Sequence, residues 1–478
     1  MALSHSGQTI ARSASFGHSV RIFRNTGLVV VKTENGQGAQ GPSMLVAFRG
    51  YNVRSFRDPF ELSLQATRLS ERRVPREIAW REEGRPIAVL PSAGIFGGNA
   101  SGKSNLLKAM NDMRKLVLTS FRGNTPDGAV ETHPFLLGED EGRAPSSYAV
   151  DLVLDGIRHE YGFVVDAGGV REEWARSHPR GRAVTLLQRT GGDTHLGSEQ
   201  RGKGRAALEI LRPNALFLST AAAINHPLFL PLYRWFRRNL TYADVESRTI
   251  RQAITSEMLE GERRSQVLAL LREADLGISD VSKRAVDPEL KERLRKVVDI
   301  FWEEATPADL DDLTFKDFEV GLKHRSTRAD VELPEEDESR GTLVWFGLVG
   351  LVLESLRQGS VLLADELEAS LHPALVDVLV DLFQSRQSNP RRAQLIFSSH
   401  EIRLMGESAE RPLGRDQVWF TEKDNDGASH LHPLADLAPR REEAIARRYL
   451  AGRYGGTPIF SPRRLKETAE PIGAASGE

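Results

Sequence analysis

An eight-residue loop, GGNASGKS at positions 97–104, constrains the fold of this chain more than any other stretch. It fits the pattern G-x-x-x-x-G-K-[ST], follows an apolar run typical of a strand, and precedes a helical pattern. Such a loop turns backbone N–H groups toward phosphates, the lysine reaches the β- and γ-phosphate oxygens, and the hydroxyl ligates Mg²⁺. A glycine-rich turn without function is the alternative, which the complete pattern disfavours. The predicted phosphate-binding residues are Gly97, Asn99, Ala100, Ser101, Gly102, Lys103, Ser104 and Asn105, and Ser104 is also a predicted metal ligand.

Two adjacent acids, Asp365 and Glu366, end a second apolar run in SVLLADELEASLHP. A buried parallel strand carries residues at its carboxyl end to the sheet edge where phosphates bind. Asp365 is therefore expected to hold Mg²⁺ through water, and Glu366 to orient or deprotonate the attacking water. Paired acids after a strand are also typical of a solvated loop, so the prediction depends on Lys103 as well. Glu368 is a lower-ranked alternative to Glu366.

A histidine, His400, follows another apolar run in QLIFSSHE. One histidine after a strand is more often structural, but its place one strand beyond Asp365 favours contact with a γ-phosphate or the attacking water. Its neighbour Glu401 is expected to raise the pKa of the imidazole.

The order of patterns predicts an α/β fold, a mixed sheet with covering helices and an antiparallel β subdomain. Turn signals at 155–156, 168–169 and 191–192 predict hairpins, and helices are expected at 342–357 and 373–386. Met44 is a candidate start of translation besides Met1. The predicted divisions are a poorly ordered tail at 1–43, a first half-domain at 44–205, a mostly helical insertion at 206–314, a second half-domain at 315–460 and a disordered tail at 461–478.

Composition excludes several classes of protein. The chain has no cysteine, so disulfides and thiolate metal sites are excluded, and a net charge of −2 does not indicate nucleic acid or an anionic membrane surface. No apolar run has the roughly 18 residues that a membrane-spanning helix needs. A cytoplasmic protein without membrane contact is expected.

Taken in order, these motifs resemble a known family. A P-loop, a long insertion, E-S-x-G-T at 338–342, a strand ending in D-E, S-L-H-P at 370–373 and a strand ending in S-H resemble ABC-type ATPases of the SMC, Rad50 and RecF kind. The chain is more closely similar to the bacterial AAA15/AAA21-like family, which includes abortive-infection and anti-phage ATPases such as RloA and the PARIS ATPase subunit. The fold class that the resemblance implies is a P-loop NTPase of the ABC type with ATP and Mg²⁺ as cofactors.

The resemblance also implies roles at matching positions. Ser339 and Gly341 match the signature that contacts the γ-phosphate of ATP bound to another subunit, which implies a homodimer or a higher homo-oligomer. Asp365 supports the metal, Glu366 and His400 are catalytic, and residues 370–372 lie at the dimer interface. Asn52, Arg54 and Phe56 match positions near the base and the first turn. The family's glutamine loop has no counterpart, since THPFLLGED at 132–140 occupies its place.

Three functions stay open at this point. The first is an ATPase sensor or scaffold of an anti-phage, abortive-infection system, with a phage-derived trigger and a separately encoded effector, a Toprim-like or RloB-like nuclease or toxin. The second is a DNA repair or chromosome-maintenance ATPase. The third is a nuclease with an acidic metal cluster at Glu422, Asp424 and Asp426, although Asn-Asp-Gly within TEKDNDG favours a hairpin turn instead.

Overall fold

The computed structural model describes residues 43–70, 74–79, 86–138, 142–179, 181–197, 201–243, 248–285, 318–327, 329–406 and 412–457. Nearly all of the tail predicted at 1–43, the whole tail predicted at 461–478, and residues 244–247 and 286–314 of the predicted insertion lie outside these ranges. Among the helices in the described ranges, none has the length and apolar character of a membrane span.

The first sheet has six strands, of which five run parallel and the last runs antiparallel. Its strands, in spatial order, are β11 (Leu240–Ala243), β15 (Val361–Ala364), β16 (Gln394–Ser398), β5 (Ser92–Gly97), β17 (Val418–Lys423) and β18 (Ser429–Pro433). Every residue of β5, β15 and β16 is buried. Strands buried on both faces need helices on both faces, so the predicted mixed sheet with covering helices is confirmed.

The second sheet has seven antiparallel strands. In spatial order they are β10 (Asp193–Leu196), β9 (Val184–Thr190), β8 (Gly169–His178), β7 (Ile157–Asp166), β6 (Ser146–Leu154), β1 (Met44–Tyr51) and β2 (Phe60–Ser63). The predicted turns connect its hairpins. At the first turn, Asp155 and Gly156 have φ values of 50° and 77°, as a two-residue turn of the type I′ kind requires.

The helices that the structure describes fall into two groups around the six-stranded sheet. They are α1 (Lys103–Thr119), α2 (Arg201–Glu209), α3 (Phe217–Ala223), α4 (Leu230–Arg238), α5 (Arg248–Met258), α6 (Arg264–Glu273), α7 (Arg340–Gln358), α8 (Pro373–Gln384) and α9 (Ile445–Leu450). Helix α1 packs between the two sheets, whereas α7 and α8 pack on the opposite face of the six-stranded sheet. The helices predicted at 342–357 and 373–386 are confirmed as α7 and α8, with ends shifted by one or two residues.

Alternation along the buried strands separates the two cores. Leu363 and Ile396 point into the core shared with the antiparallel sheet, while Leu362 and Leu395 point into the core under α7 and α8. Successive side chains of a strand face opposite sides, so one apolar run stabilises both layers at once. Full burial of each such side chain contributes roughly 1.5–3 kcal/mol.

One buried amide joins the two sheets. Gln394, the first residue of β16, accepts a hydrogen bond from the Leu45 backbone N–H at 2.7 Å and donates to the Leu45 carbonyl at 2.9 Å. Its amide nitrogen also donates to the Leu90 carbonyl at 3.1 Å. The side chain is 1% exposed, so these bonds satisfy a polar group that would otherwise be costly to bury.

The segment 206–314, predicted as a mostly helical insertion, also contributes strands. Strand β11 is the edge of the six-stranded sheet and runs parallel to β15. Strand β12 (Ile278–Ala285) pairs with β13 (Phe318–His324), which pairs with β14 (Val331–Pro334). A strand of four residues such as β11 gives too short a pattern to be distinguished from a helix by periodicity. The polypeptide between the two half-domains therefore contributes a strand to the six-stranded sheet.

Candidate functional site

The P-loop residues connect β5 to α1 at the carboxyl edge of the six-stranded sheet. Ala100 and Gly102 have left-handed φ values of 60° and 113°. A Cβ at Gly102 would meet the side chain of Ser429 and lie 3.0 Å from the Ser55 hydroxyl oxygen, so both conformation and space require glycine there. The Ser101 and Thr421 hydroxyls are 2.7 Å apart, which braces the loop against β17.

Lys103 lies across the P-loop in this structure. Its Nζ donates to the carbonyls of Gly97 and Gly98, both at 3.0 Å, and the residue is 6% exposed. Burial lowers the pKa of Lys103, and the carboxylates of Glu368, Glu366 and Asp365 act in the opposite direction, in that order. Among the described residues, the hydrogen-bond partners of the ammonium group are these two backbone carbonyls, and three carboxylates act on its charge.

Asp365 lies at the carboxyl end of β15, where two hydroxyls converge on one of its oxygens. Ser104 Oγ donates to Asp365 Oδ1 at 2.9 Å, and Ser398 Oγ donates to the same oxygen at 2.6 Å. The structure thus brings Ser104 and Asp365 together, as predicted. Ser398 was missed by sequence reasoning, although its place at the end of the strand before His400 is a signal that could have found it.

The predicted metal site fits Mg²⁺ better than a metal that needs several protein ligands. In the ranges that the structure describes, no group of three His, Cys, Asp or Glu side chains is arranged to hold a metal ion. Mg²⁺ typically takes one or two carboxylates and completes its shell with phosphates and water. The hydroxyl of Ser104 and the carboxylate of Asp365 form a donor set of that kind.

Glu366 follows Asp365 with an exposed side chain and a left-handed φ of 47°. Its backbone N–H donates to Ser398 Oγ at 2.7 Å. A non-glycine residue in this conformation is held there by its surroundings and often lies at a functional site. Ser398 therefore fixes both predicted acids, Asp365 through its carboxylate and Glu366 through its backbone.

His400 lies beyond the end of β16, close to Lys103 and the acids. Burial and the charge of Lys103 lower the pKa of His400, while Glu368 and Glu366 act against that shift. The expectation that Glu401 raises this pKa is wrong. Glu401 instead accepts a hydrogen bond from the Arg403 N–H at 3.0 Å, where it caps a short 3₁₀ helix. Burial and Lys103 thus disfavour the protonated imidazolium form of His400.

The signature residues begin helix α7. Ser339 is its N-cap and accepts a hydrogen bond from the Thr342 N–H at 3.1 Å, and both Ser339 and Arg340 are exposed. A Cβ at Gly341 would lie 2.7 Å from the Ser370 carbonyl, so the signature packs against the S-L-H-P loop of the same chain. His372 caps α8 in turn, accepting from the Ala374 N–H at 3.3 Å.

The acidic run before the signature forms a 3₁₀ helix at Glu335–Asp337 followed by Glu338. Glu338 is bonded to His324 of β13, with 2.5 Å between Oε1 and Nε2, and its side chain is 3% exposed. The three-stranded sheet of β12, β13 and β14 thereby contacts the residue directly before Ser339.

The three residues predicted to lie near the base of the nucleotide have partners within the chain. Arg54 binds both carboxylate oxygens of Asp112 on α1, at 2.6 and 2.7 Å, and its backbone N–H donates to the His133 carbonyl. Asn52 accepts from the Phe135 N–H at 3.1 Å, and Phe56 is fully buried. The segment in place of the glutamine loop therefore packs along residues 52–54, and a nucleotide contact for these three residues stays a prediction.

TEKDNDG forms the turn between β17 and β18, as the Asn-Asp-Gly pattern predicts. Asp424 Oδ1 accepts from the backbone N–H groups of Asp426 and Ala428, and Gly427 has a φ of 79°. Asp424 Oδ2 lies 2.9 Å from His430. These bonds account for Asp424 as a turn residue.

The chain matches a known family over most of its length. Residues 92–406 match the model described as "AAA domain, putative AbiEii toxin, Type IV TA system". The chain belongs to this AAA family. The predicted AAA21-like recognition is thereby confirmed, whereas the closer resemblance to RloA and PARIS stays a prediction.

Several solved structures resemble the AAA chain at a distance. An SMC head bound to the C-winged helix domain of ScpA is 14% identical, with a TM-score of 0.39, over 82% of this chain and 99% of that one. The SMC head domain from Thermotoga maritima is 13% identical, with a TM-score of 0.31, over 81% and 98%. The recombination mediator RecF with ATP is 14% identical, with a TM-score of 0.34, over 83% and 100%. No curated protein matches the sequence significantly.

Proposed function

We propose that this AAA chain hydrolyses ATP with Mg²⁺ at sites shared between two copies of itself. The observation that carries the proposal is the convergence of Ser104, Asp365 and Ser398 within hydrogen-bond distance beside Lys103. These residues come from three elements that are distant in sequence but adjacent at one sheet edge. Ser104 and Asp365 would hold Mg²⁺, which would supply positive charge to offset that of the phosphates.

The chain's own residues would then perform the reaction as follows. Lys103 would exchange the Gly97 and Gly98 carbonyls for β- and γ-phosphate oxygens. His400 would donate a hydrogen bond to the γ-phosphate or the attacking water. Glu366 would accept the proton from that water as its oxygen bonds to the γ-phosphorus and the bond to the bridging oxygen breaks, which yields ADP and inorganic phosphate.

The second half of each site would come from the signature of the other copy. The first turn of α7 presents backbone N–H groups and a positive partial charge, and Ser339, which caps the Thr342 N–H, lies exposed beside it. The γ-phosphate of ATP bound to one copy would accept hydrogen bonds from this helix end of the partner. ATP would therefore favour a closed dimer.

Complementation between two inactive variants tests the shared site. Lys103→Ala removes the phosphate ligand and Ser339→Arg blocks the signature, so each variant alone should lose nearly all ATPase activity. A mixed dimer retains one intact site, formed by Lys103 of one chain and Ser339 of the other. An equimolar mixture should therefore recover up to about a quarter of wild-type activity, as random pairing of a two-fold dimer allows.

The double variant Lys103→Ala, Ser339→Arg is the matched control for this mixture. Mixed with Lys103→Ala, it leaves no site with an intact lysine and should restore nothing. The test requires that both variants are folded and that the chain with an intact Lys103 binds nucleotide. If the first mixture then recovers no activity, the shared site is contradicted.

We further propose that the ATPase acts as a sensor or scaffold of a bacterial anti-phage system that controls a separately encoded effector. The family description that matches residues 92–406 names a toxin of a type IV toxin–antitoxin system, which supports a defence role over DNA repair. Purification from the native operon with ATP tests it. A copurifying nuclease or toxin supports the proposal, and copurifying recombination proteins favour an SMC- or RecF-like repair ATPase instead.

A further inference from the structure

The acid ranked lowest by sequence, Glu368, lies deeper in the site than Glu366. Its Oε1 accepts a hydrogen bond from the His400 backbone N–H at 2.6 Å. Its Oε2 is buried and has no hydrogen-bond partner among the described residues. Glu366, by contrast, has an exposed side chain. Two backbone hydrogen bonds hold this loop together, from the Ala369 N–H to the Glu366 carbonyl and from the Leu371 N–H to the Glu368 carbonyl.

A buried carboxylate oxygen without a hydrogen bond is unfavourable unless a cation lies near it. Lys103 is the cation on which Glu368 acts, ahead of Glu366 and Asp365. Glu368 is likewise the largest carboxylate influence on His400. The carboxylate therefore contacts His400 through its backbone, and its charge acts on both Lys103 and His400.

We propose that Glu368 is a positioning residue that holds the nucleotide-free site and is displaced by the γ-phosphate of ATP. The inference rests on the proposed function, in which the γ-phosphate lies between Lys103 and His400. Two anions would then compete for one cation, Lys103. ADP has no γ-phosphate, so the competition distinguishes ATP from ADP.

Displacement of Glu368 also provides a connection to the signature. Glu368 is two residues from Ser370, whose carbonyl packs against Gly341 at the start of α7. Ser370 itself has a left-handed φ of 64°. Movement of the Glu368 carboxylate would therefore shift the loop on which Ser339 and Gly341 rest. ATP binding at the P-loop would in this way change the position of the signature that the same chain presents to its partner.

Nucleotide affinities of charge-neutral variants test this role. Glu366→Gln serves as the background because it prevents turnover during the measurement. In that background, Glu368→Gln keeps an acceptor for the His400 N–H but removes the charge. Calorimetric titration with Mg-ATP and Mg-ADP should show the ratio of ATP to ADP affinity rising about tenfold, which corresponds to roughly 1.4 kcal/mol.

Glu401→Gln is the matched control, because it removes a carboxylate beside His400 that caps a 3₁₀ helix. It should leave the ratio of affinities unchanged. Glu368→Ala, which removes charge and acceptor together, should raise the ratio as well, with a melting temperature that checks the fold.

Two results would overturn the inference. Equal changes in ATP and ADP affinity on Glu368→Gln, or weaker ATP binding, would reduce Glu368 to a structural support for the His400 backbone. Failure of the proposed function is distinguishable, because it appears as no ATP hydrolysis by the wild-type chain or as no ATP binding in the Glu366→Gln background, whatever Glu368→Gln does.

Discussion

Two regions of this ATPase, the P-loop edge around Lys103 and the signature edge around Ser339, differ in their exposure and in their contacts within the chain. At the P-loop edge, Lys103, Ser104, Asp365 and Ser398 are bonded to one another or to nearby carbonyls within one chain. At the signature edge, Ser339 and Arg340 are exposed on the first turn of α7. Under the proposed function, the first region binds the phosphates and the metal, and the second is a helix end that contacts ATP bound to another copy. We therefore expect one chain to suffice for ATP binding, while hydrolysis needs two.

The largest expected effect comes from a substitution at the P-loop edge. Lys103→Ala removes the one buried ammonium at the P-loop, and ATP affinity should fall by about 100-fold or more, on the scale of losing a charge-assisted contact to phosphate. Calorimetry with Mg-ATP measures this loss. Lys108→Ala, on an exposed turn of the same helix α1, is the control and should bind as the wild type does. Affinity retained within a few-fold in Lys103→Ala would remove the basis for the P-loop assignment.

A smaller effect separates binding from chemistry in the same region. Glu366→Gln keeps the backbone bond to Ser398 but cannot accept the proton, so hydrolysis should slow by about 10²-fold while ATP affinity stays within a few-fold. Phosphate release under single-turnover conditions measures the rate. The same variant should also accumulate as an ATP-dependent dimer by light scattering. Near-normal turnover would move the general-base role away from Glu366.

The smallest effect concerns the signature region. His324→Ala removes the partner of Glu338 and leaves a buried carboxylate beside Ser339, so ATP turnover should fall about three- to tenfold, as for a loss of 1 kcal/mol or somewhat more. ATP affinity of the isolated chain should not change. Glu336→Gln, an exposed acid of the same run, is the control. Equal loss of ATP affinity and turnover in His324→Ala would show that the two regions are not separable in this way.

Sequence patterns predicted much of this site because its parts are local. The glycines of the P-loop, the apolar run before Asp365 and the Asn-Asp-Gly turn each specify backbone geometry within a few residues. The pairing of Ser104 with Asp365 was also predicted, because the loop after β5 and the residues after β15 lie at the same carboxyl edge of one parallel sheet. The direction of the pKa shift of His400 was not predicted, because it depends on burial and on Lys103 rather than on the adjacent Glu401.

The sequence by itself determined the phosphate-binding loop, the acids at the strand end, the hairpins of the second sheet and the helix that begins at Ser339. Only the tertiary structure decided that β11 closes the edge of the first sheet, that Ser398 fixes both acids, that Glu368 bonds the His400 backbone, and that His324 pairs with Glu338. The physical reason is separation along the chain. Ser104 and Asp365 are 261 residues apart, and Ser101 and Thr421 are 320 apart. Local patterns specify how a segment bends, whereas the burial and charge that give a side chain its role come from segments that only folding brings together.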